Sequence, residues 1–329
     1  MASENYKKYL GLSGTVIIFV VMAAALFNYI VDPCDLLGNN RIGVYSWNER
    51  QLKGEAILSY PHDAVLIGSS KVLYINPDDL FCFRFYNASL RGAFPEEIYF
   101  YLKKTLRDET LALVGFDFYM FNEREFPLVG IKDWDDLQYS VAEYLLGGHM
   151  IELSYETLEK WRKHKKAHEM KDNGQFVYHA PKGTTAADLA LYKQQYNSAI
   201  EDLKKRHYGA VSYSEKRMAF VRKLKTFLDS SGVRYAVFIN PLSEDLLAGL
   251  KETDAYDLFL SWRQEMKTIF PDIYDFSVSR YSAREGFRKV DPFHFLGSTG
   301  AAFLNEIIKD FCPETSQPQN VLSGNDGQP

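Results

Sequence analysis

The sequence predicts an α/β fold: a three-layer αβα domain on a mainly parallel sheet, enlarged by a helical insertion and preceded by one N-terminal transmembrane helix. Three observations predict it. Short runs that are apolar at every residue alternate with longer runs apolar at helical spacing, as buried parallel strands and their covering helices should be. One uncharged run near the N-terminus is long enough to cross a bilayer. A stretch between the third and fourth strands is many times longer than an ordinary connection.

In chain order, residues 1–8 are a short cytoplasmic end and residues 9–31 the membrane helix. Tyr9 to Val31 (YLGLSGTVIIFVVMAAALFNYIV) holds 23 residues without a charge, and about 20 suffice for a helix to span the hydrocarbon core. Lys7 and Lys8 precede the run, whereas Asp32 and Asp35 follow it. The positive-inside rule therefore places Met1 in the cytoplasm and everything after Val31 on the periplasmic or extracellular side of the cell membrane. A signal peptide cleaved near Ala23-Ala24-Ala25 is the competing reading. The anchor is preferred because LFNYIV prolongs the apolar run beyond that site. Residues 32–60 (beginning DPCDLLGNNRIG) read as a polar juxtamembrane connector.

From residue 61 the pattern changes. Ala64 to Gly68, Phe83 to Leu90, Leu111 to Phe118, Arg234 to Pro241 and Ile273 to Ser277 read as strands. Pro95 to Arg107, Ser214 to Ser231, Ala255 to Phe270 and Ser298 to Phe311 read as helices. These elements define one α/β domain over residues 61–312, with 119–213 as a mostly helical insertion. The insertion carries the cationic stretch Trp161 to Lys171 (WRKHKKAHEMK), in which His164 and His168 stand four residues apart. Neighbouring lysines would repel a metal cation and no third ligand is evident, so a solvated helix face is preferred, with an anionic glycan or lipid headgroup as the functional alternative. Residues 313–329, rich in Pro, Gln, Asn, Ser and Gly, read as a disordered tail.

Composition narrows the function. Hydrophobic residues at 46% and aromatics at 15% supply a packed core, which excludes bulk disorder. A net charge of -5 provides no basic field for nucleic acid. Mean hydropathy of -0.26 argues against a polytopic membrane protein, although an average hides one local exception. Cys34, Cys82 and Cys312 do not form a disulfide framework; a single Cys82–Cys312 bridge in an oxidising compartment and three unpaired small hydrophobes both remain open.

The first strand ends in Gly68-Ser69-Ser70, which presents a serine at the carboxyl edge of the sheet, where ligands bind in open parallel sheets. A following helix N-terminus would offer N–H groups to an oxyanion. Far along the chain stands Asp291-Pro292-Phe293-His294, immediately before the last helix. A serine nucleophile needs an imidazole to take its proton, and the imidazole needs an acceptor on its other nitrogen. Ser70, His294 and Asp291 together meet that requirement. Separately, Gly-Ser-Ser is a common capped turn and a lone loop histidine is more often structural.

In the order of these blocks the chain resembles the SGNH (GDSL-like) hydrolase superfamily over about residues 61 to 311. The family's Gly-Asp-Ser is matched by Gly68-Ser69-Ser70, making Ser70 the nucleophile the resemblance implies, with Ser69 in place of Asp. Its oxyanion glycine is matched by Gly92 in Asn87-Ala88-Ser89-Leu90-Arg91-Gly92. Its Asp-x-x-His is matched in full by Asp291 and His294. Its Gly-x-Asn-Asp is met by Gly115-Phe116-Asp117-Phe118, and a carboxylate cannot donate to an oxyanion unless protonated. With Asp117 structural, the amides of Ser70 and Gly92 carry the oxyanion, with Asn122 or Asn240 as additional candidates.

The single N-terminal span and the Gly-Ser-Ser form look most like DltD-type membrane-anchored acyl-transfer proteins. That resemblance implies a flavodoxin-like sheet and serine O-acyl or aminoacyl transfer, or hydrolysis, on an envelope glycan or lipid-linked polymer. It also implies a membrane-bound O-acyltransferase as partner, with no metal and no cofactor. The alternative is a catalytically inactive binding or assembly subunit using the same cleft, motivated by Asp117 and Ser69. A nucleotide-binding domain is disfavoured, because neither GxGxxG nor a Walker lysine pattern follows the first strand.

Overall fold

The computed structural model describes residues 2–44, 49–124, 140–163, 170–178 and 185–312. In chain order its α-helices are α1 (Ala2–Val31), α2 (Glu49–Ser59), α3 (Pro95–Thr105), α4 (Val141–Leu146), α5 (Gly148–Arg162), α6 (Ala186–Leu203), α7 (Glu215–Ser231), α8 (Glu244–Lys251), α9 (Ala255–Ile269) and α10 (Gly297–Ile308). Its strands are β1 (Ala64–Ile67), β2 (Phe85–Asn87), β3 (Leu111–Phe116), β4 (Arg234–Ile239), β5 (Tyr274–Asp275), β6 (Phe287–Arg288) and β7 (Asp291–Phe295). His164 and His168, and the 313–329 tail, lie outside the described residues.

The chain divides into two compact units, Met1–Ser59 with Lys132–Asp172, and Tyr60–Ile131 with Asn173–Pro329. The stretch expected as one insertion, 119–213, is thus shared between them. In the first unit α1 is long and apolar enough to cross a membrane over Tyr6–Val31, with mean hydropathy 2.4. Its last turn packs on α4 and α5. There Asn28 donates to Leu145 O (2.9 Å) and accepts from Ser154 Oγ (2.8 Å), and Asp32 accepts from the Tyr144 hydroxyl (2.6 Å). Polar groups buried at the end of an apolar helix need such partners. The region expected as a plain connector contains α2, whose Leu52 joins Cys34, Tyr144, Met150 and Leu153 in a small core.

The second unit is built on a five-stranded parallel sheet of order β2-β1-β3-β4-β5, flanked by helices. Leu66 stands opposite Asn87 on β2 and Leu113 on β3. Alternate residues Ala64, Leu66, Leu111, Leu113, Ala236 and Phe238 share one core with Phe303, Leu304, Ile307 and Ile308 of α10. The residues between them, Val65, Ile67, Ala112, Val114 and Val237, are buried as well, so the opposite face is also covered. Burying a Leu, Ile or Phe side chain contributes roughly 1.5–3 kcal/mol. Cys82, ahead of β2, and Cys312, after α10, form a disulfide, with Cα atoms 5.8 Å apart.

All five expected strands are present, and each ends earlier than the apolar run that announced it. The surplus residues leave the ladder at the carboxyl edge and form the loops there. In this strand order the chain crosses from one side of β1 to the other, and the crevice lies outside the carboxyl ends of β1 and β3.

Two local expectations differ. No α-helix follows Ser70; Ser70–Tyr74 form successive turns, closed by Val72 N–H to Ser69 O (3.1 Å) and Ile75 N–H to Val72 O (3.1 Å). The buried Asn87 amide donates to the carbonyls of Val72 (3.0 Å) and Ile75 (3.0 Å), which a helix would have used internally. Pro77 then prevents continuation. The second difference is Asp291–His294, read as loop but observed on β7, which pairs antiparallel with β6. The short helix α8 escaped notice, although Ser243 caps it by accepting from Leu246 N–H (3.3 Å).

Candidate active site

Ser70 lies just past the end of β1, partly exposed, while Ser69 before it and Lys71 after it are buried. Ser70 Oγ is 2.9 Å from His294 Nε2, and His294 Nδ1 is 2.6 Å from Asp291 Oδ2. The structure therefore brings these three residues into one hydrogen-bonded chain. Asp291 Oδ1 accepts from the N–H groups of Phe293 (3.0 Å) and His294 (3.3 Å), a local turn that aims the carboxylate at the imidazole three residues on. The first turn of α10 then closes tightly on the Ser70–Ile75 turn. A methyl at Gly300 would run into the Ile75 side chain, so a glycine is needed there for the approach.

Burial opposes charge on Asp291. His294, the Phe293 N–H and Arg288 outweigh it and hold the carboxyl below its ordinary value. An ionised Asp291 accepts a hydrogen bond from Nδ1–H, which leaves the Nε2 lone pair facing the Ser70 hydroxyl. That is the tautomer a general base requires.

The segment after β2 continues beside the end of β1, with Ala88 N–H donating to Leu66 O (2.8 Å) and Leu90 N–H to Gly68 O (3.0 Å). This carries Gly92 toward the Ser70 turn, with φ at +57°, a left-handed conformation that suits glycine. Among the described residues, neither the Ser70 N–H nor the Gly92 N–H has an acceptor. An unengaged amide at a serine of this kind, as at Ser70, can hold an oxyanion.

Asp117, at the end of β3, is occupied elsewhere. It accepts from Ser69 Oγ (2.6 Å) and Asn240 Nδ2 (3.1 Å), and it lies 3.0 Å from Lys71 Nζ. Lys71 also donates to Pro241 O (3.3 Å) and sits 4.5 Å from the centre of the Phe293 ring. Ser69 and Asp117 are thus partners in one buried polar network beside Ser70. Asn240 belongs to the same network. Asn122 does not: it accepts from Arg124 N–H and Ser212 N–H (both 3.1 Å) and donates to His207 O (3.5 Å), fastening the 207–213 segment.

Sequence reasoning missed four residues that shape this site: Asn87, which holds the turn; Lys71, which neutralises Asp117; and Tyr74 and Arg288. The Tyr74 ring stands edge-on to His294, with centroids 5.9 Å apart, and Arg288 Nη1 lies 3.6 Å from Asp291 Oδ2. The available signal was a lysine inside the otherwise apolar KVLYI that follows Ser70. Among the described residues, no group of three or more His, Cys, Asp or Glu side chains is placed to hold a metal ion. No protein-family model matches the chain, and no curated protein matches it in sequence.

Proposed function

We propose that the protein is a membrane-anchored, extracytoplasmic serine acyltransferase or esterase of the SGNH type, acting on O-acyl or aminoacyl groups of a cell-envelope glycan or polymer. The observation that carries this reading is the chain Ser70 Oγ, His294 Nε2 and Nδ1, Asp291 Oδ2, at 2.9 and 2.6 Å. In the proposed reaction Ser70 Oγ attacks the acyl carbonyl while His294 Nε2 takes its proton. The Ser70 and Gly92 amides hold the resulting oxyanion. Collapse expels the donor alcohol, which recovers the proton from His294 and leaves an ester on Ser70. An acceptor hydroxyl or water, deprotonated by His294, then attacks the ester and takes the acyl group, while Ser70 Oγ leaves and recovers its proton from His294.

Helix α1 supports a membrane tether, and Lys7 and Lys8, ahead of its uncharged run, support a cytoplasmic N-terminus. A membrane-bound O-acyltransferase is the proposed partner. The rival reading, a binding-only subunit, would have been favoured by a wide gap between Ser70 and His294. Labelling with a fluorophosphonate probe tests the proposal: the intact protein labels, and Ser70→Ala and His294→Ala do not. Equal labelling of intact protein and Ser70→Ala sinks it.

A further inference from the structure

In the first unit the residues of α1 from Tyr9 to Ala23 are exposed apart from Gly14, whereas Ala24, Ala25 and Phe27 are half-covered and Asn28 and Val31 are buried. The helices packed there are α4 and α5. The uncharged run Tyr9–Val31 holds 23 residues, about 34 Å of helix against a hydrocarbon core of about 30 Å. A span that enters at Tyr9 therefore leaves the hydrocarbon close to Asn28. Asn28 donates to Leu145 O of α4 and accepts from Ser154 Oγ of α5, and Tyr144 of α4 donates to Asp32. These bonds tie both helices to the turn of α1 that emerges, so they stand at the depth of the lipid headgroups.

The buried row of α5 is Met150, Leu153, Ser154 and Thr157. Trp161 follows Thr157 one turn later in the same row, yet it is 51% exposed. Helix α5 thus parts from α1 in its last turn and lies across it rather than along it. Its outer surface is divided. Ile151 and Tyr155, one turn apart, form an apolar edge with half-buried Leu158, while Glu152, Glu156 and Lys163 form a polar edge. Val141 and Leu146 of α4, with Ile151 and Tyr155 of α5, remain 38–67% exposed. An apolar surface of this kind marks a contact with something other than water.

We propose that α4 and α5 make a second membrane contact, lying in the plane of the outer interface beside α1. Val141, Leu146, Ile151 and Tyr155 sink among the acyl chains, Trp161 sits at headgroup level, and Glu152, Glu156 and Lys163 face water. The occupant of this apolar face is lipid, and continuity decides it. The face adjoins a helix whose own exposed surface meets lipid, and the Asn28 and Asp32 bonds carry α4 and α5 wherever α1 emerges. A lone helix leaves the first unit free to tilt and swivel on the membrane; a second contact fixes its attitude. The inference rests on the reading of α1 as a membrane span and is independent of the chemistry at Ser70.

Fluorescence quenching tests this on the full chain in phosphatidylcholine vesicles. In a Cys34→Ala background, Val16→Cys, Ile151→Cys, Tyr155→Cys and Glu156→Cys each carry one environment-sensitive fluorophore. All four positions are exposed, so labelling leaves the packing intact. Lipids brominated on their acyl chains should quench the Ile151 and Tyr155 labels about threefold more than the Glu156 label, and aqueous iodide should do the reverse. The Val16 label, in the middle of α1, reports on the span itself. Bromolipid quenching at Val16 with iodide quenching at Ile151 and Tyr155 overturns this inference and leaves the span standing. A Val16 label that bromolipid does not reach removes the span, and this inference with it. Shielding of Ile151 and Tyr155 from both quenchers means that protein, a second copy or another chain, covers the face, and also overturns the proposal.

Discussion

Asp117 Oδ1 and Lys71 Nζ form an ion pair at 3.0 Å beneath Ser70, both side chains almost wholly removed from solvent. The end of β3 thus holds a buried acceptor, and Lys71, the residue after Ser70, explains how it is tolerated. A buried carboxylate is tolerable only when its charge is answered. Ser69 and Asn240 complete its hydrogen bonding.

Asp117→Asn should destabilise the protein by about 3–5 kcal/mol, because it leaves the Lys71 ammonium unanswered in the interior. It should not raise the rate of labelling at Ser70. Urea unfolding checks the first statement, and adding Lys71→Met should recover part of the loss. An unchanged midpoint in Asp117→Asn would remove the ion pair from the account.

Asp291→Asn should preserve the fold while placing the wrong proton on His294. An amide at this position can donate to Nδ1, favouring the tautomer in which Nε2 carries hydrogen and cannot accept from Ser70. Labelling should slow by about 10⁴-fold. Loss limited to about twofold would mean that Asp291 does not set the tautomer.

Asn87→Asp is nearly isosteric, but an ionised carboxylate cannot donate to the Val72, Leu73 and Ile75 carbonyls that Asn87 now holds. The Ser70 turn should loosen, lowering both stability and labelling rate. Gly300→Ala acts on the same turn from the other side by pressing on Ile75, at a cost of about 1–3 kcal/mol. Ile75→Ala in the same chain should relieve part of that cost, and a double-mutant cycle shows whether the two sites couple.

His62 and Glu109 form a largely buried pair away from the site. His62 Nδ1 faces Tyr60 O at 2.7 Å and its Nε2 faces Glu109 Oε1 at 3.2 Å. Burial disfavours the imidazolium, but Glu109, Tyr60 O and Asp63 outweigh it and raise the His62 pKa. Burial likewise disfavours the Glu109 carboxylate, and His62 with the Arg107 and Glu109 N–H groups outweighs it and lowers that pKa. The His62 contribution is complete below its ordinary value of 6.5 and is lost as pH rises through the higher folded value. The Glu109 contribution is complete above 4.5 and is lost as pH falls through the lower folded value. Both are present from 4.5 to 6.5, so the melting-temperature gap between intact protein and His62→Gln should be widest there and narrow toward pH 9. A gap that does not change with pH would rule out the charged pair.

The sequence by itself determined the α/β class, the five strands and the helices α3, α7, α9 and α10, because burial and periodicity are written locally. Runs such as AVLI and LALVGF, short and apolar at every residue, read as buried strands, and Tyr9–Val31 reads as an apolar helix. It also named Ser70, Asp291 and His294, since a strand-end serine and an Asp-x-x-His are short local signals. The tertiary structure decided the rest. The division of 119–213 between two units depends on contacts with Met1–Ser59, which no local pattern records. The turn after Ser70 displaced the expected helix because Asn87, on another strand, holds its carbonyls. Asp117 proved to be a counter-ion and Asn122 a fastener of 207–213, roles set by the groups facing them. Arg288 emerged only when β6 folded back on β7 and set its guanidinium between Tyr74 and Tyr178. A side chain's type is fixed by sequence, but its charge state and partners are fixed by neighbours that are remote along the chain.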